Sequence, residues 1–416
     1  MDEAPALPPM QAAQAQTTDS QPHQEAEPQI KQDIRHLSET IGPRGSTTEE
    51  EAKAAHYVAV RLEALGLGPQ RQEFFGAASA YAPYALATFM ALLSLFLFWQ
   101  AIAIVTIFAI VLTAVTLAAL WRELSFKDNV LRWVLYKDPS QNVIAKIAKR
   151  GDEARDDIVI TTHLDTHRTP IIFSSLAWLK LFQWLLPEWR VSFAVLLAMF
   201  VIELFTGFAA LRWMALVPGA VLLVIFALML QADATPFTKG ANDNASGVAV
   251  GLALASRLAQ SPLCHHNVTL VFTGCEETGC YGADAFFRQH KAALRNPIHI
   301  TIDQVGGAGT DPCILRSAQF LQTAHSDPAL LKLADEVMAA HPELNAHSRS
   351  ARGAYSELNI GMLHGVRAIG LFGIARDGAV PHWHQPTDTI ETVEVDATTR
   401  ATELAWHFLQ VVDKQA

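Results

Sequence analysis

The sequence predicts an α/β protein: a three-layer domain around a central, mostly parallel mixed sheet, interrupted by two transmembrane helical hairpins. Three observations predict it. Short β-type runs, NVIAKIAKR (142–150), DIVITTHLD (157–165), NVTLVF (267–272), IHITID (298–303) and VRAIGLF (366–372), alternate with helix-type segments, the pattern of a sheet covered on both faces. Two long apolar blocks, 81–121 and 171–231, break that alternation. Half of the 416 residues are hydrophobic and the mean hydropathy is +0.19, high for a chain that meets only water.

Along the chain, residues 1–30 are rich in Gln, Ala and Pro with little to bury, and read as a disordered tail. A helix opens at Ser46: Ser46 and Glu49 have capping-box spacing, acids fill the first turn, and Gly66 suits the stop. Ala55, Val58, Leu62 and Leu65 keep a helical apolar period. Residues 82–98 and 101–120 are nearly uncharged runs separated by Trp99 and Gln100, each about long enough to cross a bilayer. Buried core helices are the competing reading, but two such runs in tandem beside a Trp are hard to house in a core.

After Arg122 the globular pattern resumes, with strands at 142–150 and 157–165 joined by a charged turn. In the second block Lys180, Glu188 and Arg190 interrupt the apolar character, so 171–187 reads as interfacial. Residues 191–211 and 213–231 read as spans, with Glu203 and Pro218 as blemishes. From Lys239 onward the α/β pattern is ordinary, and NASGVAVGLALASRLAQ is helix-like.

The expected organisation is a tail at 1–30; one discontinuous globular domain at 31–80, 122–170 and 232–416; a hairpin at 81–121; and an interfacial helix plus hairpin at 171–231. An even number of crossings in each insert returns the globular pieces to one side. Arg122, Lys127, Arg132, Lys137 and Lys239 lie on that side and Arg212 alone on the other, so the positive-inside rule turns the domain toward the cytoplasm. With no charged-then-apolar signal peptide, the expectation is an integral membrane protein of a bacterial-type inner membrane, with the lipid bilayer as a partner. No internal repeat is evident beyond the paired hairpins. The net charge of −10 argues against nucleic-acid binding. Cys264, Cys275, Cys280 and Cys313 make neither zinc-finger spacing nor a dense disulfide framework, and the sequence is silent on oligomeric state.

Five places set His, Asp or Glu at or just after a strand: His163 and Asp165 in THLDTH, Asp243 in GANDNASG, Glu276 and Glu277 in GCEETG, Asp303 in ITIDQVG, and His384 in HWHQPTDT. Ligand sites of open α/β sheets lie beyond the carboxyl ends of the strands, so these groups can converge. Singly each has a plain reading: a satisfied core His, a turn or helix cap at Asp243-Asn244, a solvated glutamate pair, an Asp paired with an arginine. Together they are a mixed nitrogen and oxygen ligand set of the kind that suits Zn²⁺.

Their order and local spacing resemble the co-catalytic zinc exopeptidases, the family of bacterial leucyl aminopeptidase, aminopeptidase Y, glutamate carboxypeptidase and glutaminyl cyclase. The matching pieces are HLD, DNASG, EETGCYGA, the lone Asp of ITIDQVG, and HQPTDT. The resemblance implies a zinc-exopeptidase fold, two Zn²⁺ per chain, and a peptide or small amide substrate. It implies His163 and Asp303 on one zinc, Glu277 and His384 on the other, and Asp243 bridging both. Glu276 then corresponds to the general base, and Asp165 to the acid that orients the metal site. His384 is preferred over His382 because its distance to Asp388-Thr389 matches the family's H-x-x-x-D-T.

The chain also departs from the family. The second apolar block separates Asp165 from Asp243, and the first splits the opening helix from the strands. Where many relatives carry Ser-Asp-His, this chain has Ser356-Glu357-Leu358. Arg352 and Tyr355 are candidate substrate contacts, with a salt bridge and a core aromatic as the alternatives. The expected activity is a membrane-anchored zinc-dependent exopeptidase, an aminopeptidase-like hydrolase. Carboxypeptidase or cyclase action, a catalytically silent membrane scaffold and a transporter are the competing readings. The cyclase branch resembles a one-zinc design, against which His163 and Asp303 argue.

Overall fold

The structure, a computed structural model, describes residues 27–153, 155–319, 323–353 and 355–415. Helix α1 (Gln29–Arg35) continues into a π-helical turn (His36–Ile41), and α2 spans Glu49–Ala64. Residues 1–26 of the expected tail lie outside the described residues, but Gln29 and Ile30 already belong to α1. The reason is packing: Ile30 lies against the main core and Asp33 accepts the Tyr57 hydroxyl at 2.5 Å. The helix cap also differs from expectation. Thr48, not Ser46, caps α2, accepting the Glu51 amide at 3.3 Å. Ser46 is drawn instead to Asp165, donating to its Oδ2 at 2.6 Å.

Nine strands form one sheet: β1 (Gln70–Ala77), β2 (Lys137–Ile147), β3 (Ile158–His163), β4 (Val268–Thr273), β5 (Ile298–Asp303), β6 (Asp311–Gln319), β7 (Thr323–His325), β8 (His347–Arg352) and β9 (Arg367–Ile374). Their order is β1-β2-β4-β3-β5-β9-β6-β7, with β8 also pairing β6. The centre, β4-β3-β5-β9, is parallel. The pairs β1-β2, β2-β4, β9-β6 and β6-β7 are antiparallel and β6-β8 is parallel, so the sheet is evenly mixed, with its continuous parallel run in the middle. The charged turn after β2 does not make a hairpin with β3, because β4 lies between them. Strands β3, β4 and β5 are buried along their whole length, as parallel strands covered on both faces must be.

The remaining globular helices are α5 (Val130–Val134), α9 (Gly247–Gln260), α10 (Tyr281–His290), α11 (Pro328–Ala340), α12 (Glu357–Leu363) and α13 (Val395–Lys414). Val58, Val248, Leu252, Leu404 and Phe408 of α2, α9 and α13 cover one face together with Ile160, Leu270 and Ile300. Phe286, Phe287 and Ile360 of α10 and α12 join Val159 and Val271 on the other.

The apolar blocks form α3 (Ala82–Phe98), α4 (Ala103–Glu123), α6 (Leu176–Thr206), α7 (Ala210–Met214) and α8 (Leu216–Asp233). Residues 171–187 are not a separate interfacial helix. From Leu176 they are the first turns of the 31-residue α6, which runs through Pro187. At ~1.5 Å per residue α6 is ~46 Å long, beyond the ~30 Å of a bilayer core. Its first half carries Lys180, Glu188 and Arg190, the residues that looked like breaks. The two inserts share one core, including Ala91, Phe98, Phe193, Phe200 and Leu222. A side chain at Gly219 would meet the terminal methyl of Leu95 at 2.4 Å, so Leu95 packs directly over Gly219 where α8 crosses α3. Among the described residues three helical stretches, Ala103–Glu123, Leu176–Thr206 and Ala210–Asp233, are long and apolar enough to cross a membrane. The 17-residue α3 is at the short end of that range. The bundle's outer face carries exposed Phe96, Ile104, Phe108, Phe205 and Val217. At the tip, Trp99 meets Trp213 at 4.9 Å and Arg212 pairs with Glu203. At its base Glu123 takes Arg132 at 2.8 Å in a buried ion pair.

One buried side chain connects the globular pieces. The Arg44 guanidinium donates to the carbonyls of Leu37, Gly42, Leu164, Lys239 and Gly240 at 2.8–3.0 Å. These acceptors come from all three segments that the inserts separate. Gly240 permits the close approach, with φ +58° and no room for a side chain beside Thr166 and the Asp243 carbonyl. Arg44→Met leaves several buried acceptors unpaired, and should destabilise the protein by ~3 kcal/mol or more. Thermal unfolding in detergent should show Tm falling by roughly 5 °C or more; an unchanged Tm would contradict this role.

Candidate active site

The chemistry-bearing residues converge at the carboxyl ends of the parallel strands. His163 is the last residue of β3 and Asp303 the last of β5. Glu276 and Glu277 follow β4, Asp243 precedes α9, and His384 lies in the loop between β9 and α13. All six are buried. His163 Nε2 is 3.2 Å from Asp303 Oδ1 and 3.4 Å from Asp243 Oδ1. His384 Nε2 is 3.3 Å from Asp243 Oδ2 and 3.4 Å from Glu277 Oε2. Asp243 therefore turns one oxygen to each histidine. His163, Asp243 and Asp303 offer ligand atoms within 4.8 Å of one another, as do His163, Glu276 and Glu277. His382, the competing histidine, is engaged with the Thr387 hydroxyl at 2.8 Å and belongs to neither group.

The turn carrying the glutamate pair is held by two further carboxylates. Asp165 accepts the amides of Glu276 at 3.0 Å and Glu277 at 3.1 Å. Glu51 accepts the preceding amide, Cys275, at 2.9 Å. Three successive N–H groups are thus pinned, and the adjacent side chains are aimed by their own backbone. Asp165 also orients His163, through its main-chain carbonyl, which lies 3.1 Å from Nδ1. Asp388 does for Asp243 what Asp165 does for the glutamates, accepting the amides of Asn242 at 2.7 Å and Asp243 at 3.0 Å. Asn244, joined to Asp243 by a cis peptide, accepts from Gly247 and Gln304 at 3.1 and 3.0 Å.

Tyr355 is half-buried and donates to the Glu277 carbonyl at 2.9 Å while lining the site cavity. Arg352 ends β8, opposite Gln319; its side chain lies outside the described residues. Ser356 caps α12, and the buried Glu357 accepts the Thr273 hydroxyl at 2.5 Å. Sequence reasoning did not single out Arg44, Glu51 or His167. His167 stacks on His384 with ring centroids 3.6 Å apart. Its Nδ1 faces the Arg168 carbonyl at 2.7 Å, so it donates there, and Nε2 is left to accept from the Tyr81 hydroxyl at 3.3 Å. The alternation His163, Asp165, His167 in THLDTH was the available signal. Arg44 and Glu51 lie in a helix-start context that carries none.

The donor set fits a metal. His163 commits Nδ1–H to a carbonyl, which aims the Nε2 lone pair at two carboxylate oxygens. A cation between them reconciles that geometry. Burial pushes Glu276 well above the usual carboxylate range, Glu277 up to about 7, and Asp303 upward. Burial also opposes ionisation of Asp243, but the imidazoles of His163 and His384 outweigh it and hold that carboxyl low. Against its own burial, Glu277 and Asp243 raise His384 to about 9. Glu277 Oε1 accepts no hydrogen bond among the described residues. Burial drives the Cys275 and Cys280 thiols far up, which removes them as nucleophiles.

The family model for Peptidase family M28 matches residues 227–409. No curated protein matches the chain. Among solved structures it is similar to a leucine aminopeptidase precursor from Bacteroides thetaiotaomicron (TM-score 0.55, 14% identity, covering 93% of this chain and 96% of that one). A glutaminyl cyclase from the same organism, bound to N-acetylhistamine, gives TM-score 0.55 and 14% identity over 93% and 97% of the two chains. The LapA aminopeptidase of Legionella pneumophila gives TM-score 0.52 and 12% identity over 93% and 71%. Residues 227–409 thus match the model of peptidase family M28, the similar structures share the fold, and together these matches support a zinc-dependent exopeptidase-like hydrolase.

Proposed function

We propose that the chain is a membrane-anchored di-zinc exopeptidase, acting as an aminopeptidase. The observation that carries this is Asp243, whose two oxygens face His163 at 3.4 Å and His384 at 3.3 Å. On this reading His163 and Asp303 would hold one zinc, Glu277 and His384 the other, and Asp243 would serve both. Zinc, when bound, supplies Lewis acidity to the scissile carbonyl and to water. Glu276 takes the proton of the attacking water and delivers it to the leaving amine. Asp165 keeps the two glutamates in distinct roles by gripping their amides, and Cys280 Sγ, 3.3 Å from Glu276 Oε1, fixes the base's rotamer. Tyr355 steadies the turn at the Glu277 carbonyl and lines the substrate side.

The aminopeptidase direction rests on the similar structures described as a leucine aminopeptidase precursor and as LapA aminopeptidase. His163 beside Asp303 supports a two-metal hydrolase over a cyclase. Membrane anchoring rests on the apolar helices and the bundle's exposed apolar face. Trp99 and Trp213 at the bundle tip suit one membrane interface, and the basic residues near the globular domain suit the cytoplasmic side.

Glu276→Gln is expected to retain about two zincs per chain by elemental analysis while peptide hydrolysis falls by ~10²-fold or more. Full activity in that variant would sink the assignment. Asp243→Ala removes the shared carboxylate, and should lower the zinc content itself; unchanged stoichiometry on dialysis would refute the bridging role. A reporter active only outside the cytoplasm should be active when fused after Gln100 or Arg212, and a cytoplasmic signal there would reverse the topology.

A further inference from the structure

The cavity above the catalytic residues is not confined to the globular domain. It measures about 980 Å³, and His163, Glu276 and His384 share its wall with Leu186, Trp189 and Leu228 of α6 and α8. Trp189 also belongs to the bundle's own core. The hydrolytic groups therefore open onto the interior side of helices whose opposite face is an exposed apolar surface. A soluble peptide would leave that part of the wall with nothing to bury.

We infer that the substrate is a single-chain amphiphile: an amide joining a polar head to a linear hydrocarbon chain, with the chain lying along α6 and α8. An extended chain fits, and cavities at this upper end of ligand-site volumes bury most of a small ligand's surface. The length of α6 supports the same occupant. The helix is longer than a bilayer core is thick, and its first turns line the cavity through Leu176, Leu179 and Phe182, a path along which a chain can pass from lipid to the catalytic residues without crossing water. Breaking the amide consumes one water and yields a carboxylate and an amine, and the hydrocarbon remains on one of the two products.

This inference rests on the hydrolase reading of the same site. The chain can lie on either side of the scissile bond, as in an amino acid alkylamide or in an N-acyl amino acid. The test uses full-length, zinc-loaded enzyme in lipid nanodiscs. Initial rates are measured on alanine n-alkylamides and on N-acyl-alanines of increasing chain length, below micelle formation, with Ala-Ala and Leu-Ala as short references. The expected result is that kcat/KM climbs by up to about fourfold per methylene and then levels off, in at least one series. The series that climbs identifies which side carries the chain. Leu228→Trp and Leu186→Trp, which fill the apolar wall, should each cut the ratio of long-chain to short-chain kcat/KM by about tenfold or more. A flat profile in both series, with Glu276-dependent cleavage of the dipeptides retained, overturns this inference and leaves the hydrolase reading in place. Absence of Glu276-dependent hydrolysis of every amide overturns both.

Discussion

The fold depends on a guanidinium placed where no water reaches. Arg44 is fully buried, and burial lowers its pKa to about 10, yet it is surrounded by main-chain carbonyls rather than by one carboxylate. A planar, five-donor group suits this task because it satisfies acceptors from several directions at once. Its acceptors lie before the first insert, between the inserts, and just past the second. The charge is thus stabilised only when all three stretches are in place, which couples assembly of the sheet to placement of Asp243, three residues beyond Gly240.

The same economy governs the site. Five carboxylates, those of Asp165, Glu276, Glu277, Asp243 and Asp303, lie within one buried volume, a configuration that repels itself in a low dielectric. The outer acids are held by amides: Asp165, and Asp388 beside the five, each accept two N–H groups. The inner acids have no such amides and face imidazoles and one another. That division separates acids that hold backbone from acids that are free to hold something else, and it is the physical basis for assigning roles.

Much of the site was legible because strand-end residues keep short, local signatures. HLD, DNASG, EETG and HQPTDT each encode a strand end or turn whose geometry is decided within a few residues, and the structure brings their side chains together. The supports were less legible because they act at long range. Ser46 has the chemistry of a helix cap, and nothing local says that Asp165, 119 positions on, will claim its hydroxyl. Glu51 looks like one of three first-turn acids, yet it alone turns inward to the Cys275 amide. In the bundle, charges at 180, 188 and 190 and a proline at 187 imitate a helix break. The helix continues through them, and Trp189, between the charges at 188 and 190, is buried in the bundle core. The antiparallel flanks of the sheet were hidden for a similar reason: apolar runs report burial, not the direction of a neighbour.

The placement of β4 between β2 and β3 has a consequence for biosynthesis. β2 and β3 leave the ribosome before the second insert, and β4 after it; β2 can pair with β1 at once, but its other edge and both edges of β3 stay open until some hundred further residues have been made. During that interval two β-type segments wait with open edges, the condition in which strands find wrong partners. The inserts are already available as helices, whose contacts are local and form early. Asp243, Glu276, Glu277, Asp303 and His384 all follow the second insert in the chain, so the candidate centre closes only after both helical hairpins have been made.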